Sequence, residues 1–330
     1  MIYLALFVLI TVMSGLFWVW LAKKTALRFA IVDKPDNLIK IHEKVTPYLG
    51  GVGFMVNAYI IYFLFSLISK EPVNPKEYWI LGLSLGMLLL GIIDDIRRIK
   101  PLTKFIFQCI FAVVLIAAGI RLEIMYFPDY VNYALSLLWI VGMSNAFNLI
   151  DIMDGLCGGV AMIAGFFLFF SANSEYHFLL FVALSILAFL IYNFPPASIF
   201  MGDAGSLTIG FVFSAYAILG SYTSNNRLGL FAPLLILWLP IYETILVTIL
   251  RLKKKKNPFM GSKDHFAFRL KAAGFPIMAI LFVTYFLTII TGQTAFLAVY
   301  MSGESAALVY SIVSLFFVVL FFVLSKIKID

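Results

Sequence analysis

Long, nearly unbroken apolar runs alternate with short polar stretches from one end of the chain to the other. Their lengths cluster near the ~20 residues that an α-helix needs to cross a bilayer core. They lack the period-two alternation of a transmembrane β-barrel. The pattern therefore predicts an all-α polytopic integral membrane protein with about eleven spans. These fall near 1–21, 50–69, 78–94, 104–121, 131–147, 159–173, 177–193, 206–221, 229–250, 276–298 and 306–325. The first run, MIYLALFVLITVMSGLFWVWLAKK, has no basic leader and no small-residue cleavage site, and reads as a retained span. No short repeat, low-complexity tract or linker divides the chain, so one membrane domain is expected over residues 1–330.

Composition sharpens this picture. The chain is 63% hydrophobic and 12% charged, whereas soluble domains are roughly a quarter charged. Its two cysteines, Cys109 and Cys157, lie in or beside apolar segments and read as small buried hydrophobes. The net charge of +7 is mostly a topology signal. With the N-terminus outside and the C-terminus cytoplasmic, twenty of the 24 basic residues fall in inside loops. They lie at Lys23–Lys44, Arg97–Lys104, Arg251–Lys271, Lys326 and Lys328; only Lys70, Lys76, Arg121 and Arg227 fall outside. That asymmetry satisfies the positive-inside rule. Basic residues dispersed over several membrane-edge loops argue against a nucleic-acid partner. The tract RLKKKK, residues 251–256, reads as a stop facing anionic headgroups.

This topology gathers four polar clusters on the cytoplasmic face of the expected cell-membrane protein. LLLGIIDDIRRIK, residues 88–100, ends an apolar run in Asp94 and Asp95, where the helix macrodipole disfavours negative charge. The pair is either a salt-bridge cluster with Arg97 and Arg98 or part of a site, and taken alone it leaves both open. In NAFNLIDIMDGLCGG, residues 145–159, Asn145, Asn148, Asp151 and Asp154 recur every three residues, which on a helix gives a slowly winding polar stripe. It is either a polar helix end or a row that requires a partner beside the bilayer. NFPPASIFMGDAGS, residues 193–206, flanks Asp203 with Gly202 and Gly205, either a plain turn or a backbone that can approach phosphate. KDHFAFRL, residues 263–270, lies in the largest basic loop.

The chemistry open to this set is narrow. His42, His177 and His265 are scattered, which excludes a zinc cluster, and no phosphate-binding glycine loop stands in a strand-to-helix context. What remains is hard oxygen ligands (Asp94, Asp95, Asn148, Asp151, Asp154, Asp203) with Lys104 and Arg269 nearby. Such oxygens suit Mg²⁺ shared with substrate phosphates. Phosphoryl transfer needs little beyond a metal, positioning and cations that spread charge. Beside a membrane, the natural phosphate substrate is a lipid phosphate.

Five blocks in order resemble the polyprenyl-phosphate N-acetylhexosamine-1-phosphate transferases, glycosyltransferase family 4. They are DKPDNLIKIHEKVTPYLGG (33–51), DDIRRIKPLTK (94–104), NAFNLIDIMDGLCGG, NFPPASIFMGDAGS and HFAFRL. The resemblance implies transfer of N-acetylhexosamine-1-phosphate, best matched by GlcNAc-1-phosphate, from a UDP-sugar to undecaprenyl phosphate, releasing UMP. It implies a cytoplasmic site built from loops near 33–51, 94–104, 145–159, 193–206 and 251–275. Asn148 and Asp203 would ligate Mg²⁺, with Mn²⁺ as a substitute. Asp94 and Asp95 would be the catalytic acidic pair, as base, orienting group or nucleophile. Lys104 would lie near the phosphates, Phe200 would stack on uracil, Asp151 and Asp154 would lie near the uridine, and Asn145 would bind substrate. His42, His265 and Arg269 would complete substrate binding.

Three blocks depart from the family pattern. Leu38, Ile39 and Lys40 stand where an Arg-Lys pair is common, Ile152 replaces the first glycine of the third block, and Ala267 and Phe268 replace histidines. Residues 251–275 contain no paired histidines, which sets a pentapeptide transferase behind a GlcNAc-1-phosphate transferase. The alternatives are an ion-coupled transporter or lipid flippase and a catalytically inactive homologue; a homodimer is left open. Charges at helix ends rather than mid-span count against a transporter.

Overall fold

The computed structural model describes residues 2–33, 45–70, 73–223, 225–257, 263–327 and 329. His42 and the rest of 34–44 lie outside the described residues. The long apolar runs form helices α1 (Ile2–Arg28), α2 (Gly50–Ser69), α3 (Pro75–Arg97), α4 (Pro101–Ala117), α5 (Asp129–Ile150), α6 (Leu156–Ser171), α7 (His177–Asn193) and α8 (Gly202–Leu219). Then follow α9 (Ala232–Ile236), α10 (Trp238–Lys253), a short α11 (Phe266–Ala272), α12 (Ile277–Tyr300) and α13 (Gly303–Ser325). The one departure from helix and loop among the described residues is a two-residue antiparallel ladder pairing Val32 with Pro47 and Asp33 with Thr46.

Among the described residues, seven helices are long and apolar enough to cross a membrane, or eight if one bent pair is counted as a single span. The protein is thus an all-α, multi-pass membrane protein. Helix starts follow the local chemistry. Pro75 and Pro101 open α3 and α4, where a missing N–H costs nothing. The Asn74 side chain accepts from Lys76 N and caps α3. α1 runs past its expected end at 21 to Arg28, and its added turns carry Lys23, Lys24 and Arg28, cations that suit a helix C-terminus.

The run expected as one span over 229–250 is broken. α9 and α10 meet at Leu237 with a bend of 70°. Pro240 explains the break, because it lacks the N–H that would bond Ile236 O in a continuous helix.

α8 is the axis of the bundle, nearly wholly buried against α2, α3, α5 and α6. It lies antiparallel to α3, tied at both ends. Near the α3 N-terminus, buried Glu77 accepts from Tyr216 Oη at 2.8 Å; near its C-terminus, Asp95 meets the first turn of α8. Between these ties the backbones touch: a Cβ on Gly91 would lie 2.3 Å from Ala204 Cα. Gly91→Ala is therefore expected to cost about 1–3 kcal/mol, read as a lower unfolding midpoint in detergent. An unchanged midpoint would refute the close α3–α8 contact.

Candidate active site

The two neighbouring aspartates at the end of α3 do different work. Asp95 faces the N-terminus of α8, its Oδ1 accepting from Asp203 N at 2.8 Å and Oδ2 from Ala204 N at 3.1 Å. The four leading N–H groups of a helix lack partners within it, and α8 has no capping side chain of its own. A carboxylate from α3 takes that role and meets the positive end of the dipole. Gly202 is required here: its φ is +73°, and a Cβ would approach Asp95 Oδ2 to 2.6 Å. Consequently α8 starts four residues before the expected 206, and Asp203 sits in its first turn instead of a preceding loop.

Asp94 turns the other way. Its Oδ1 accepts from Ile99 N at 2.8 Å, and its Oδ2 accepts from Lys104 Nζ at 2.7 Å. The same ammonium donates to Asp203 Oδ2 at 2.5 Å. Asp203 Oδ1 accepts from Asn148 Nδ2 at 2.8 Å, and that amide also donates to Ser206 Oγ at 3.1 Å. The Lys104 ammonium of α4 thus joins carboxylates from α3 and α8, and Asn148 of α5 holds Asp203 from the other side.

The expected stripe from 145 to 154 is only half helical. α5 ends at Ile150, so Asn145 and Asn148 ride its last turns while Asp151 and Asp154 lie beyond it. Three residues advance a helix by less than a full turn, so the two asparagines meet different neighbours. Asn145 exchanges hydrogen bonds with Gln108 of α4, at 2.6 Å and 3.4 Å, which joins helices and turns it away from Asp203. Asp154 Oδ2 accepts from Ala197 N at 2.9 Å, tying this block to the next. Burial first, then the charges of Asp203, Asp95 and Asp154, push the Asp151 carboxyl up to about 8.

Phe200 is held by main chain on both sides. Its N donates to Pro47 O at 2.9 Å, and its O accepts from Gly50 N at 2.9 Å. The Tyr48 ring packs against it at 6.1 Å. The phenol of Tyr48 is pushed above its ordinary value by burial and by the Asp33 carboxylate that accepts its hydrogen.

His265 and Arg269 do not join the Lys104 cluster by any hydrogen bond or ion pair among the described residues. The His265 ring, 4% exposed, meets Glu243 Oε1 through Nδ1 at 2.8 Å. Arg269, 2% exposed, donates to Leu324 O at 3.1 Å and Ile327 O at 2.6 Å, and to Asp264 Oδ1 at 3.1 Å. Its guanidinium ties α11 to the C-terminal end of α13. Burial would raise the Asp264 carboxyl, but Lys254 and Arg269 hold it below the usual range.

Four participants went unnamed in the sequence reading: Gln108, Ser206, Tyr48 and Glu243. Gln108 and Glu243 had a visible signal, each a polar side chain in an otherwise apolar helix.

The donor set fits a divalent cation. Asp94 and Asp203 place carboxylate oxygens around one ammonium, and the Asn148 amide lies against Asp203, so the set offers hard oxygen donors close together. Among the described residues, no group of three or more His, Cys, Asp or Glu forms a metal cage by itself. A cation here would take part of its shell from substrate.

The model of Glycosyl transferase family 4 matches residues 78–221, which hold the whole Lys104 cluster. A probable undecaprenyl-phosphate N-acetylglucosaminyl 1-phosphate transferase of Bacillus subtilis is 30% identical over 91% of this chain and 85% of its own length. An undecaprenyl-phosphate alpha-N-acetylglucosaminyl 1-phosphate transferase of Thermotoga maritima is 29% identical, covering 74% of this chain and 72% of that protein. A phospho-N-acetylmuramoyl-pentapeptide-transferase of Petrotoga mobilis is 28% identical, over 88% and 95%.

The division of the acidic pair predicts distinct stabilities. Asp95→Ala leaves two amides of α8 uncapped and is expected to cost about 1–2 kcal/mol, seen as a lower thermal midpoint. Asp94→Ala should lower it less. Equal midpoints for the two variants would refute the division.

Proposed function

This chain belongs to glycosyl transferase family 4 and is a polyprenyl-phosphate sugar-1-phosphate transferase; from that premise we propose that it moves GlcNAc-1-phosphate from UDP-GlcNAc to undecaprenyl phosphate, releasing UMP. The observation that carries this reading is the chain of contacts at the junction of α3, α4, α5 and α8, where Lys104 bridges Asp94 and Asp203 and Asn148 donates to Asp203. The choice of sugar is supported by the two N-acetylglucosaminyl transferases among the relatives. Such a reaction opens the membrane stage of a cell-surface polysaccharide pathway.

A phosphate oxygen of the lipid forms a bond to the sugar-bearing phosphorus as the bond from that phosphorus to the UMP oxygen breaks. The lipid phosphate is already an anionic nucleophile, so direct attack needs no covalent enzyme intermediate. Asp94 orients it or accepts its remaining proton, and Lys104 spreads the developing charge. Asp203 and Asn148 would hold Mg²⁺. When bound, that ion neutralises the diphosphate and stabilises the leaving UMP. Asp95 fixes the α8 N-terminus that carries Asp203. Phe200 stacks on uracil, backed by Tyr48; Asp151 and Asp154 line the nucleoside side, and His42, His265 and Arg269 belong to the donor end. For the lipid tail, an apolar groove of about 340 Å³ runs along α4 past Phe105, Cys109, Ile110 and Val113, beginning one residue beyond Lys104.

The proposed topology sets this end of the bundle in the cytoplasm and the N-terminus outside. In this reading the bent α9–α10 pair and the shorter apolar helices α4, α6 and α7 would cross as well as the seven long helices, giving eleven spans of a single domain.

Purified protein given undecaprenyl phosphate, Mg²⁺ and a panel of UDP-sugars is expected to release UMP fastest with UDP-GlcNAc. Asp203→Asn should abolish release while its thermal midpoint stays near wild type; retained activity would sink the metal assignment. A phosphorylated enzyme trapped from UDP-GlcNAc without lipid would overturn direct attack.

A further inference from the structure

Glu243 is a carboxylate near the start of α10, 2% exposed in an apolar helix. Its partners lie across the loop that follows α10. Oε1 meets His265 Nδ1 at 2.8 Å and accepts from Phe266 N at 3.0 Å, and Oε2 accepts from the same amide at 3.1 Å. No lysine or arginine of the described residues forms an ion pair with it. A buried charge is costly without such partners, so this carboxylate is placed to serve two groups: the first N–H of α11 and the His265 ring.

We propose that Glu243 is a positioning residue for the transfer reaction, fixing the orientation and tautomer of His265 so that Nε2 is the ring atom offered to the donor diphosphate. A carboxylate accepts and does not donate, so Nδ1 carries the hydrogen. Nε2 is then an acceptor in the neutral ring and a donor in the imidazolium. The edge of Phe268, 5.7 Å away and perpendicular, packs on the same ring. A ring flip would cost the bond to Glu243. Arg269, from the middle of α11, grips Asp264 just before His265 and Leu324 O of α13. Glu243 thus holds the ring and the first amide of α11, while Arg269 ties the same segment to α13. This inference rests on the reading that His265 contacts the donor.

The test is a double-mutant cycle in the full-length protein, with kcat and KM measured for UDP-GlcNAc and undecaprenyl phosphate. Glu243→Gln keeps an acceptor oxygen but removes the charge. It is expected to lower kcat about 10- to 100-fold with little change in KM for the lipid. In a His265→Ala background it should cause no further loss. The same loss in both backgrounds would overturn the role through His265 while leaving the contact of His265 with the donor intact. Full activity of His265→Ala would overturn that contact itself. Imidazole ¹⁵N spectra of wild-type protein, which has three histidines, give an answer that does not depend on the variants folding. Nδ1 of His265 should carry its hydrogen, and a bare Nδ1 would overturn the proposal.

Discussion

The hydrogen bonds from the first turn of α8 to Asp95 set the frame for the rest of the site. The leading amides of a helix have no partner within it, and Gly202 and Ala204 at the start of α8 are buried. By capping α8 from α3, Asp95 fixes where that helix begins. Asp203 then occupies its first turn, within reach of Lys104 from α4 and Asn148 from α5. Gly202 makes the approach possible, and the Gly91 contact and the Glu77–Tyr216 bond keep the two helices in register. Removing the cap would therefore disturb the carboxylate arrangement even though Asp95 need not touch substrate.

The paired aspartates show how a shared letter in sequence separates in space. Consecutive residues on a helix differ by about 100° in direction, so Asp94 and Asp95 face different neighbours. Asp94 is joined to a lysine and to the backbone of the following turn; Asp95 is joined to another helix. The lysine holds Asp94 and Asp203 near one another, while backbone amides serve Asp95 and Asp154. An arrangement of this kind is ready for an anionic substrate and its counter-cation, because charge is already in place before either arrives.

The apolar pattern was legible because spanning helices require long hydrophobic runs, and the described helices fall close to the expected ones. Its failures have local causes. The ninth run reads as continuous because hydropathy carries no information about the hydrogen bond that Pro240 cannot make. α8 begins early because its cap is supplied by a residue more than a hundred positions away, which no local signal contains. The site was legible where composition was odd: carboxylates and amides at the ends of apolar runs stood out, and Asp94, Lys104, Asn148 and Asp203 do meet. The main-chain partners of Arg269 were not legible, since Leu324 and Ile327 lie more than fifty residues away. Glu243 was visible as a charge within an apolar helix, but its meaning depended on a partner beyond the next loop.

The grip of Arg269 on Leu324 O and Ile327 O has a different kind of consequence. Both acceptors are backbone atoms, so recognition is blind to which side chains stand at those positions. What it measures is length: the number of residues between Gly303 and the end of α13 must bring those carbonyls to the guanidinium. Substitution along the lipid-facing side of α13 can therefore drift freely, whereas a single insertion or deletion would rotate the wrong carbonyls into place. The last helix is constrained as a ruler and not as a text.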